Sequence, residues 1–348
     1  MLVSIIVNNY NYGRYVGQAI ESALRQTHPS VEVIVVDDGS TDDSRQVIGA
    51  FGVRVAAVYQ PNGGQAAALN TGWAHSHGEV VIFLDSDDVL EPHVAADYAA
   101  AFADNPGAAR AHCRMTVIDA DGRPTGGVKP APGLPLLGGD LRRQVLSFPD
   151  DLPWLPTSGN AYAAAVLRQI MPIPAAEFRI LADYYLSHVT PLFGPVLALE
   201  AVGAHYRVHG ANNYARDGAP LDLAQVRRTI NYWRAAHVHV QRFAAQLGLP
   251  GRPVTPDEVL SVALTANRLV SLKLDPAHHP IAGDTAGGLL RLGWRAAGRR
   301  FDVGPATRLK FRGWFLAMAP APRPLARWLA DLLLRPERRP GRAQRPAN

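Results

Sequence analysis

The chain has 348 residues, of which 47% are hydrophobic and 19% are charged, and its net charge is +5. This composition predicts a folded protein of about two domains and excludes a disordered chain. The only cysteine is Cys113, which excludes a disulfide scaffold and a cysteine zinc site. The sequence has no apolar run of about 18 residues, so no membrane span is predicted. The N-terminus lacks the basic segment of a secretory signal, so we expect a cytoplasmic protein.

The first hundred residues alternate between strand and helix patterns. The apolar, β-branched runs predict strands at 2–7, 31–36, 53–60 and 79–85, and helical spacing predicts helices at 14–26, 41–51 and 64–76. Strands joined by helices predict a doubly wound, mostly parallel α/β sheet. The near-continuous apolar runs fit strands that are buried on both faces.

The periodicity weakens after residue 92. The pattern predicts a helix at 94–105, a strand that runs into a turn at Asp121–Gly122, a long loop at 124–157, a helix at 180–189 and one or two strands within 196–209. From residue 220 onward helices dominate, at about 222–247, 256–274, 284–300, 306–318 and 324–334.

Charge divides the chain into two parts. Residues 1–215 carry 13 basic and 21 acidic side chains, whereas residues 216–348 carry 22 basic and 9 acidic ones. This contrast predicts a domain boundary near residue 215. The expected organisation is a first domain at 1–215, divided into a ligand-binding part at about 1–92 and a second part at about 93–215, then a basic helical region at 216–335 and a disordered tail at 336–348.

Polar clusters follow each of the first four predicted strands. In chain order they are Asn8–Tyr10, Asp37–Ser40, Asn62–Gly64 and Asp85–Asp88. The carboxyl ends of parallel strands share one edge of the sheet, and open α/β sheets bind their ligands along that edge. The four clusters therefore predict one binding crevice.

The stretch VVIFLDSDDVLEP places Asp85, Asp87 and Asp88 at the end of a buried strand, where like charges repel one another. An EF-hand calcium loop is excluded, because its sixth and twelfth positions are Leu90 and Ala96. The DSDDV segment resembles the motif of haloacid-dehalogenase-like phosphotransferases, with Asp85 as nucleophile and Asp87 as acid and base. The other interpretation is a divalent cation, Mg²⁺ or Mn²⁺, that holds a diphosphate and offsets the repulsion.

Four segments together resemble the family 2 glycosyltransferases of the GT-A fold, and they occur in the family's order. They are VSIIVNNYNYGRYVGQAIESALRQT, EVIVVDDGSTDDS, NGGQAAALNTGWAHSHGEVVIFLDSDD and YRVHGANN, within about residues 2–215. The resemblance implies a GT-A, Rossmann-like fold and transfer of a sugar, with inversion, from a UDP, GDP or dTDP sugar to a saccharide or lipid-linked acceptor. The phosphotransferase and a non-catalytic relative that binds nucleotide sugars are the alternatives.

The resemblance also implies roles for individual residues. Those expected to contact the nucleotide sugar are Asn8, Tyr10, Asp38, Gly63, Gln65, Asp85 and Asp87. Those expected to bind Mg²⁺ or Mn²⁺ are Asp87, Asp88 and His209.

The catalytic base and the acceptor side are implied by two further segments. Asp183 in RILADYYL is the expected general base, and Ala182 precedes it where many members of the family have glutamate. The residues expected on the acceptor side, in PWLPTSGNAY, are Trp154, Ser158 and Gly159.

The C-terminal region is basic and amphipathic. Residues 291–348 carry 14 basic and 3 acidic side chains, and Leu325, Trp328, Leu329 and Leu332 share one predicted helix face. Basic helices with aromatic residues are typical of contact with an anionic membrane, so peripheral attachment at its inner face is one expectation. Packing of that face against the protein is the other. No nucleic-acid-binding motif accompanies the charge, so no nucleic-acid partner is predicted.

Overall fold

The computed structural model describes residues 1–131, 133–147, 155–210, 212, 221–249, 255–300 and 303–334. Trp154 and the expected tail at 336–348 lie outside the described residues. The described residues form two compact units, one within Met1–Arg142 and Pro153–His209 and the other within Arg143–Leu152 and Gly210–Asn348. The division at residue 210 lies close to the boundary that the charge pattern predicts.

The described part of the first unit contains a sheet of nine strands. The strands are β1 (Val3–Asn9), β2 (Val31–Asp37), β3 (Ala56–Tyr59), β4 (Val80–Asp85), β5 (Val89–Leu90), β6 (Arg110–Ile118), β7 (Pro124–Lys129), β8 (Asn160–Ala163) and β9 (Val196–Arg207). They lie in the order β3-β2-β1-β4-β8-β6-β9-β5, and β7 pairs with β6. The first four strands are parallel, whereas β8 is antiparallel to both of its neighbours. The predicted doubly wound, mostly parallel α/β sheet is confirmed.

Twelve helices lie in the described residues. They are α1 (Gly13–Leu24), α2 (Ser44–Gly49), α3 (Gln65–Ala74), α4 (Val94–Asp104), α5 (Arg142–Ser147), α6 (Ala164–Ile170), α7 (Ala182–Val189), α8 (Leu223–Gln246), α9 (Val262–Leu274), α10 (Ala286–Arg299), α11 (Pro305–Met318) and α12 (Arg323–Leu334). The helices from α8 onward confirm the predicted helical region. α9 begins later than predicted, because Pro256–Glu258 forms a separate 3₁₀ turn.

The central strand β1 is apolar along its length because helices cover both of its faces. Val3, Ile5 and Val7 belong to the core that includes residues of α1 and α4. Ile6 contacts α3 on the opposite face, where a Cβ at Gly72 would lie 2.2 Å from Ile6 Cγ2. This close packing fixes β1 between β2 and β4, so the polar residues at their ends meet at one edge.

Three local features differ from the sequence prediction. β3 begins at Ala56 instead of 53, because Gly52–Arg54 forms a 3₁₀ turn in which Gly52 has a φ of +55°. The predicted loop at 124–157 contains β7 and α5. The strands β5 and β8 were not predicted, because segments of two and four residues are too short to show an alternating pattern.

The second unit is helical in its described residues. Ala266, Leu269 and Val270 of α9 lie in one core with Phe315 of α11 and Leu329 of α12. Among the helices of the described ranges, none combines the length and the apolar character needed to cross a membrane.

Candidate active site

The ends of β1, β2 and β4 bring polar residues together across the sheet. Parallel pairing sets Asn8 opposite Asp85 and Asn9 opposite Asp37. Asn8 Nδ2 donates to Asp85 Oδ1 at 2.9 Å, and Asn9 Nδ2 donates to Asp37 Oδ1 at 2.9 Å. The strand register itself therefore builds the edge of the site.

Asp38 holds the loop that leads into α3. Its Oδ1 accepts hydrogen bonds from Gly63 N at 2.8 Å and Gln60 Nε2 at 2.6 Å, and its Oδ2 accepts one from Gly64 N at 2.7 Å. Gly64 adopts a φ of +89°, which favours glycine. The structure brings Asp38 and Gly63 together as predicted, and the carboxylate of Asp38 bonds to the loop itself.

Asp85, the last residue of β4, is held by neutral amides. Its Oδ1 accepts hydrogen bonds from Asn8 Nδ2 and from Gln65 Nε2 at 3.0 Å. Burial, and then the charge of Asp87, raise the pKa of Asp85 to about 6. The two amides orient the carboxylate without supplying a positive charge to balance it.

Asp87 and His209 face each other. Asp87 Oδ2 lies 3.1 Å from His209 Nε2, and the two side chains are 15% and 5% exposed. Tyr12 and Tyr15 pack against the imidazole, with ring centroids 5.3 Å and 4.9 Å from it. Two residues that the sequence predicts at a metal are thus adjacent, although 122 positions separate them in the chain.

Asp88 has a different environment from Asp87. Its Oδ1 accepts a hydrogen bond from Arg207 N at 2.9 Å, and its Oδ2 accepts one from Ser158 Oγ at 2.7 Å. Burial, followed by the charges of Asp87 and Asp85, raises the pKa of Asp88 well above its usual range. Each oxygen accepts a hydrogen bond from the protein, and these bonds brace the carboxylate; direct metal binding by Asp88 stays a prediction.

Ser158 and Gly159, which the sequence predicts on the acceptor side, are buried. Ser158 Oγ donates to Asp88 and accepts from Asp85 N at 3.1 Å. The Gly159 carbonyl accepts a hydrogen bond from Tyr98 OH at 2.9 Å. The contacts of Ser158 support the acidic segment Asp85–Asp88, and the predicted acceptor contacts of Ser158 and Gly159 stay predictions.

Arg207, which the sequence prediction did not select, ties the acidic segment to the rest of the unit. Its Nε donates to the Asp87 carbonyl at 2.7 Å, and its Nη2 donates to Gln18 Oε1 at 2.7 Å. The side chain is almost fully buried, and a buried guanidinium needs several acceptors. The sequence signal for this residue was an arginine within the strand-like run HYRVH. Arg207 fixes the backbone of Asp87 and hence the direction of its carboxylate.

Asp183 lies in the first turn of α7 and is partly buried. The preceding residue, Ala182, donates its N–H to Gln65 Oε1 at 3.1 Å. Burial, and then the charge of Asp85, raise the pKa of Asp183 to about 7. Gln65 bonds both to Asp85 and to the N–H of Ala182, so it links the residue before Asp183 to the end of β4.

Tyrosines surround the acidic residues, and the sequence prediction named one of them. Tyr10 is 46% exposed at the end of β1. Burial and then the charge of Asp87 raise the pKa of Tyr12 above its usual range, and burial and then the charge of Asp88 do the same for Tyr206. Tyr12 was detectable in principle, because NNYNYGRY places tyrosines at 10, 12 and 15 directly after the first strand.

The donor set fits a divalent cation that arrives with a diphosphate. The described residues contain no group of three His, Cys, Asp or Glu side chains arranged to hold a metal ion. Mg²⁺ commonly binds one or two carboxylates and completes its shell with phosphate oxygens and water. Asp87 and His209 could supply two such ligands, and a positive charge nearby would favour the ionised form of Asp85, whose pKa is raised.

Comparison with known proteins identifies the class. A family model for glycosyl transferase family 2 matches residues 4–150. The glycosyltransferase alr2836 of Nostoc sp. is 38% identical over 218 residues, which cover 62% of this chain and 67% of that protein. The chain is a glycosyltransferase. It belongs to glycosyl transferase family 2, and this membership removes the phosphotransferase alternative.

Other relatives add a shorter match and a fold. Glycosyltransferase GlyG of Streptococcus pneumoniae is 40% identical over 97 residues, and the match spans 27% of this chain and 32% of that protein. The solved structure of S. aureus TarS 1–349 has a TM-score of 0.59 at 17% identity and covers 95% of this chain and 90% of that one. A second structure of that fragment, in complex with UDP-GlcNAc, has a TM-score of 0.59 at 16% identity, with 95% and 91% covered. These structures share the fold.

The pKa of Asp183 should make the stability of the protein depend on pH. Because its pKa of about 7 lies above the ordinary value, Asp183 stabilises the fold near pH 4 and this stabilisation is lost as the pH rises to about 7. Asp183→Asn should therefore raise the melting temperature at pH 8 by roughly 1–3 °C, and by less at pH 5, in the presence of EDTA. Asp104→Asn at an exposed helix end is the control, and equal shifts at both pH values would contradict the raised pKa.

Proposed function

We propose that the protein is an inverting glycosyltransferase that moves a sugar from a nucleoside diphosphate to an acceptor hydroxyl. The observation that carries the proposal is the link between Asp85 and the start of α7, where Asp183 lies. Gln65 bonds both to Asp85 and to the first residue of α7, and the charge of Asp85 contributes to the raised pKa of Asp183. A base placed beside a diphosphate site suits a single displacement at the anomeric carbon. A single displacement inverts that carbon.

The donor is proposed to lie along the ends of the parallel strands. Tyr10 and the loop that Asp38 shapes are available for the base and ribose. Asn8 orients Asp85, which we assign to a contact with the ribose or the sugar. The S. aureus TarS fragment shares the fold and has been solved with UDP-GlcNAc, so UDP sugars are the first donors to test, followed by GDP and dTDP sugars.

Asp183 is proposed as the general base. It accepts the proton of the acceptor hydroxyl as that oxygen attacks the anomeric carbon. A base with a pKa of about 7 is well matched to neutral pH, because about half of the carboxyl groups are then ionised and the carboxylate is a stronger proton acceptor than an ordinary aspartate. Its position in the first turn of α7 also favours the ionised form through the helix dipole.

Replacement of the base should separate catalysis from binding. Asp183→Asn should lower transfer by roughly 10²–10⁴-fold, the usual contribution of general-base catalysis, and should change the dissociation constant of the nucleoside diphosphate by less than about three-fold. In the wild-type enzyme, kcat/KM should fall as the pH drops below about 7, because Asp183 becomes protonated. Nucleoside diphosphate release measures transfer, and thermal shift measures binding. Transfer at the wild-type rate by Asp183→Asn would exclude the assignment.

Asp87 and His209 are proposed to hold Mg²⁺ or Mn²⁺ together with phosphate oxygens of the donor. When bound, the cation supplies positive charge where negative charge builds on the departing nucleoside diphosphate. Arg207 keeps the Asp87 backbone in place, and Asp88 and Ser158 hold the segment around it. The metal ligands therefore rest on a rigid support.

Chelation and one histidine variant test the metal proposal. EDTA should abolish transfer, and added Mn²⁺ or Mg²⁺ should restore it. In a thermal-shift assay, Mn²⁺ with UDP should raise the melting temperature of the wild type more than either alone, and His209→Ala should lose that extra shift. His205→Ala is the matched control, because His205 lies in β9 four positions before His209 and pairs with Glu91 and Thr116 instead. Full transfer in EDTA would rule out the metal.

The acceptor is proposed to be a hydroxyl of a saccharide or of a lipid-linked saccharide. Tyr206 is a candidate for the acceptor side, because the charges of the acidic segment and of Asp183 all act on its hydroxyl. Lys129 Nζ lies 4.4 Å from the Tyr206 ring centroid and fixes the ring. Trp154 remains a prediction for stacking on a sugar face.

A second proposal concerns an anionic membrane surface. α12 packs in its unit through Ala326, Leu329 and Ala330, whereas Leu325 and Trp328 are 44% and 55% exposed. The sequence predicts that these apolar residues share one helix face, but Leu329 packs in the unit whereas Leu325 and Trp328 are exposed to solvent. α11 also exposes apolar side chains, and residues 291–348 are strongly basic. Exposed tryptophan and leucine beside basic residues suit the interface of an anionic bilayer, at its cytoplasmic side.

Sedimentation with vesicles tests the membrane proposal. The full chain should sediment with vesicles that contain phosphatidylserine and much less with phosphatidylcholine alone, because both charge and apolar contact contribute. The double variant Leu325→Ala and Trp328→Ala should lose at least about ten-fold in vesicle affinity while keeping its melting temperature. Val53→Ala, at an exposed position of the first unit, is the control. Failure of the wild type to sediment with anionic vesicles would contradict the proposal.

The remaining alternative is a protein that binds nucleotide sugars without transferring the sugar. It predicts a thermal shift with a nucleotide sugar but no release of nucleoside diphosphate under any metal condition. Release that disappears in Asp183→Asn excludes this alternative.

A further inference from the structure

We infer that Gln65 is a positioning residue for the catalytic base and does not contact the donor as the sequence predicts. The inference rests on the proposed function, in which Asp183 is the base. Gln65 is the first residue of α3 and follows the glycine loop that Asp38 holds. Sequence position alone therefore puts it beside the donor.

The contacts of Gln65 occupy both ends of its side-chain amide. Its Nε2 donates to Asp85 Oδ1 at 3.0 Å and approaches Thr157 Oγ1 at 3.4 Å. Its Oε1 accepts the N–H of Ala182 at 3.1 Å. The opposite amide orientation would place the NH₂ group against an N–H and the oxygen against a carboxylate, so these partners select one orientation.

The bond to Ala182 caps the catalytic helix from outside. The first N–H groups of a helix have no partner within it, and they are usually capped by a side chain just before the helix. The residue in that position, Leu181, has no side-chain acceptor and makes no cap bond. Gln65 supplies the acceptor instead. Asp183 is the next residue, so the bond sets the position from which its carboxylate projects.

Two neighbouring contacts strengthen the link between α3 and the segment before α7. Arg179 Nη1 donates to the Gly63 carbonyl at 3.0 Å, and its Nη2 donates to Asn62 Oδ1. Further along α3, Asn70 exchanges two hydrogen bonds with the backbone of Ile173, at 2.9 Å and 2.8 Å. Gln65 differs from both because it also bonds to Asp85. It therefore joins the sugar-side carboxylate to the start of the catalytic helix.

This arrangement gives Gln65 a kinetic role. The separation between the base and the anomeric carbon depends on where α7 begins relative to Asp85, and an error of about 1 Å in such a separation can cost on the order of 10²-fold in rate. Loss of a residue that holds this separation lowers kcat. Loss of a donor contact raises the KM for the donor instead.

Three variants distinguish these roles. Gln65→Met removes both bonds at similar size. Gln65→Glu keeps an acceptor for Ala182 N but places a negative charge beside Asp85. Asn70→Ala is the matched control, because it removes two bonds between α3 and the same segment at a greater distance from Asp183.

The first measurement needs no substrate. Hydrogen exchange of the peptide that contains α7 should be at least ten-fold faster in Gln65→Met than in the wild type, and nearly unchanged in Gln65→Glu and Asn70→Ala. Unchanged exchange in Gln65→Met would contradict the cap, whether or not a donor has been identified. An inactive wild type with the expected exchange pattern would count against the proposed function and leave the cap established.

The second measurement is steady-state kinetics with the donor that the wild type uses. Gln65→Met should lower kcat at least ten-fold, with the donor KM and the dissociation constant of the nucleoside diphosphate within about three-fold. Gln65→Glu should retain more activity than Gln65→Met. The acidic limb of its pH–rate profile should move to higher pH, because added negative charge raises the pKa of Asp183. A ten-fold rise in KM at constant kcat, or an equal loss of kcat in Gln65→Met and Asn70→Ala, would overturn the inference.

Discussion

The repulsion among the partly or fully buried carboxylates of Asp85, Asp87, Asp88 and Asp183 is the constraint on which this site depends. The raised pKa values of Asp85, Asp88 and Asp183 all begin with burial and then include the charge of a neighbouring aspartate. A buried anion is tolerated only when hydrogen bonds or positive charges compensate it. The hydrogen bonds described for the side chains of Asp85 and Asp88 come from amide, hydroxyl and backbone groups, which carry no formal positive charge. A diphosphate-bound cation completes that balance in the function we propose.

The carboxylates of the acidic segment and its neighbours divide into supports and working groups according to their partners. In Asp38 and in Asp88, both carboxylate oxygens accept hydrogen bonds from the protein, and these bonds hold the neighbouring loops in place. Asp87 faces His209 and Asp183 lies in the first turn of α7, and the function that we propose assigns a ligand contact to each. Motif residues that look equivalent in the sequence are thus unequal in the structure. Arg207 belongs with the supports, although it carries the charge that a ligand contact would need.

The helical unit shows a similar division on a larger scale. Ala326, Leu329 and Ala330 of α12 face the core of its unit, whereas the large side chains of Leu325 and Trp328 remain at the surface. An amphipathic pattern alone assigns all apolar residues to the packed face. The membrane contact that we propose depends on this exposed pair of side chains.

The sequence by itself determined the parallel strands, the single ligand edge, the helical second unit and the class of enzyme. Local patterns carry this information: β1 and β4 are apolar runs that end in polar clusters, and short motifs occur in the family's order. Only the tertiary structure decided which protein groups each aspartate bonds to, and that Gln65 reaches the start of α7. The reason is that these choices depend on partners 70 to 122 positions away, such as Ser158 and Arg207 for Asp88 and His209 for Asp87. No local pattern encodes such a distant partner, so only the folded chain reveals it.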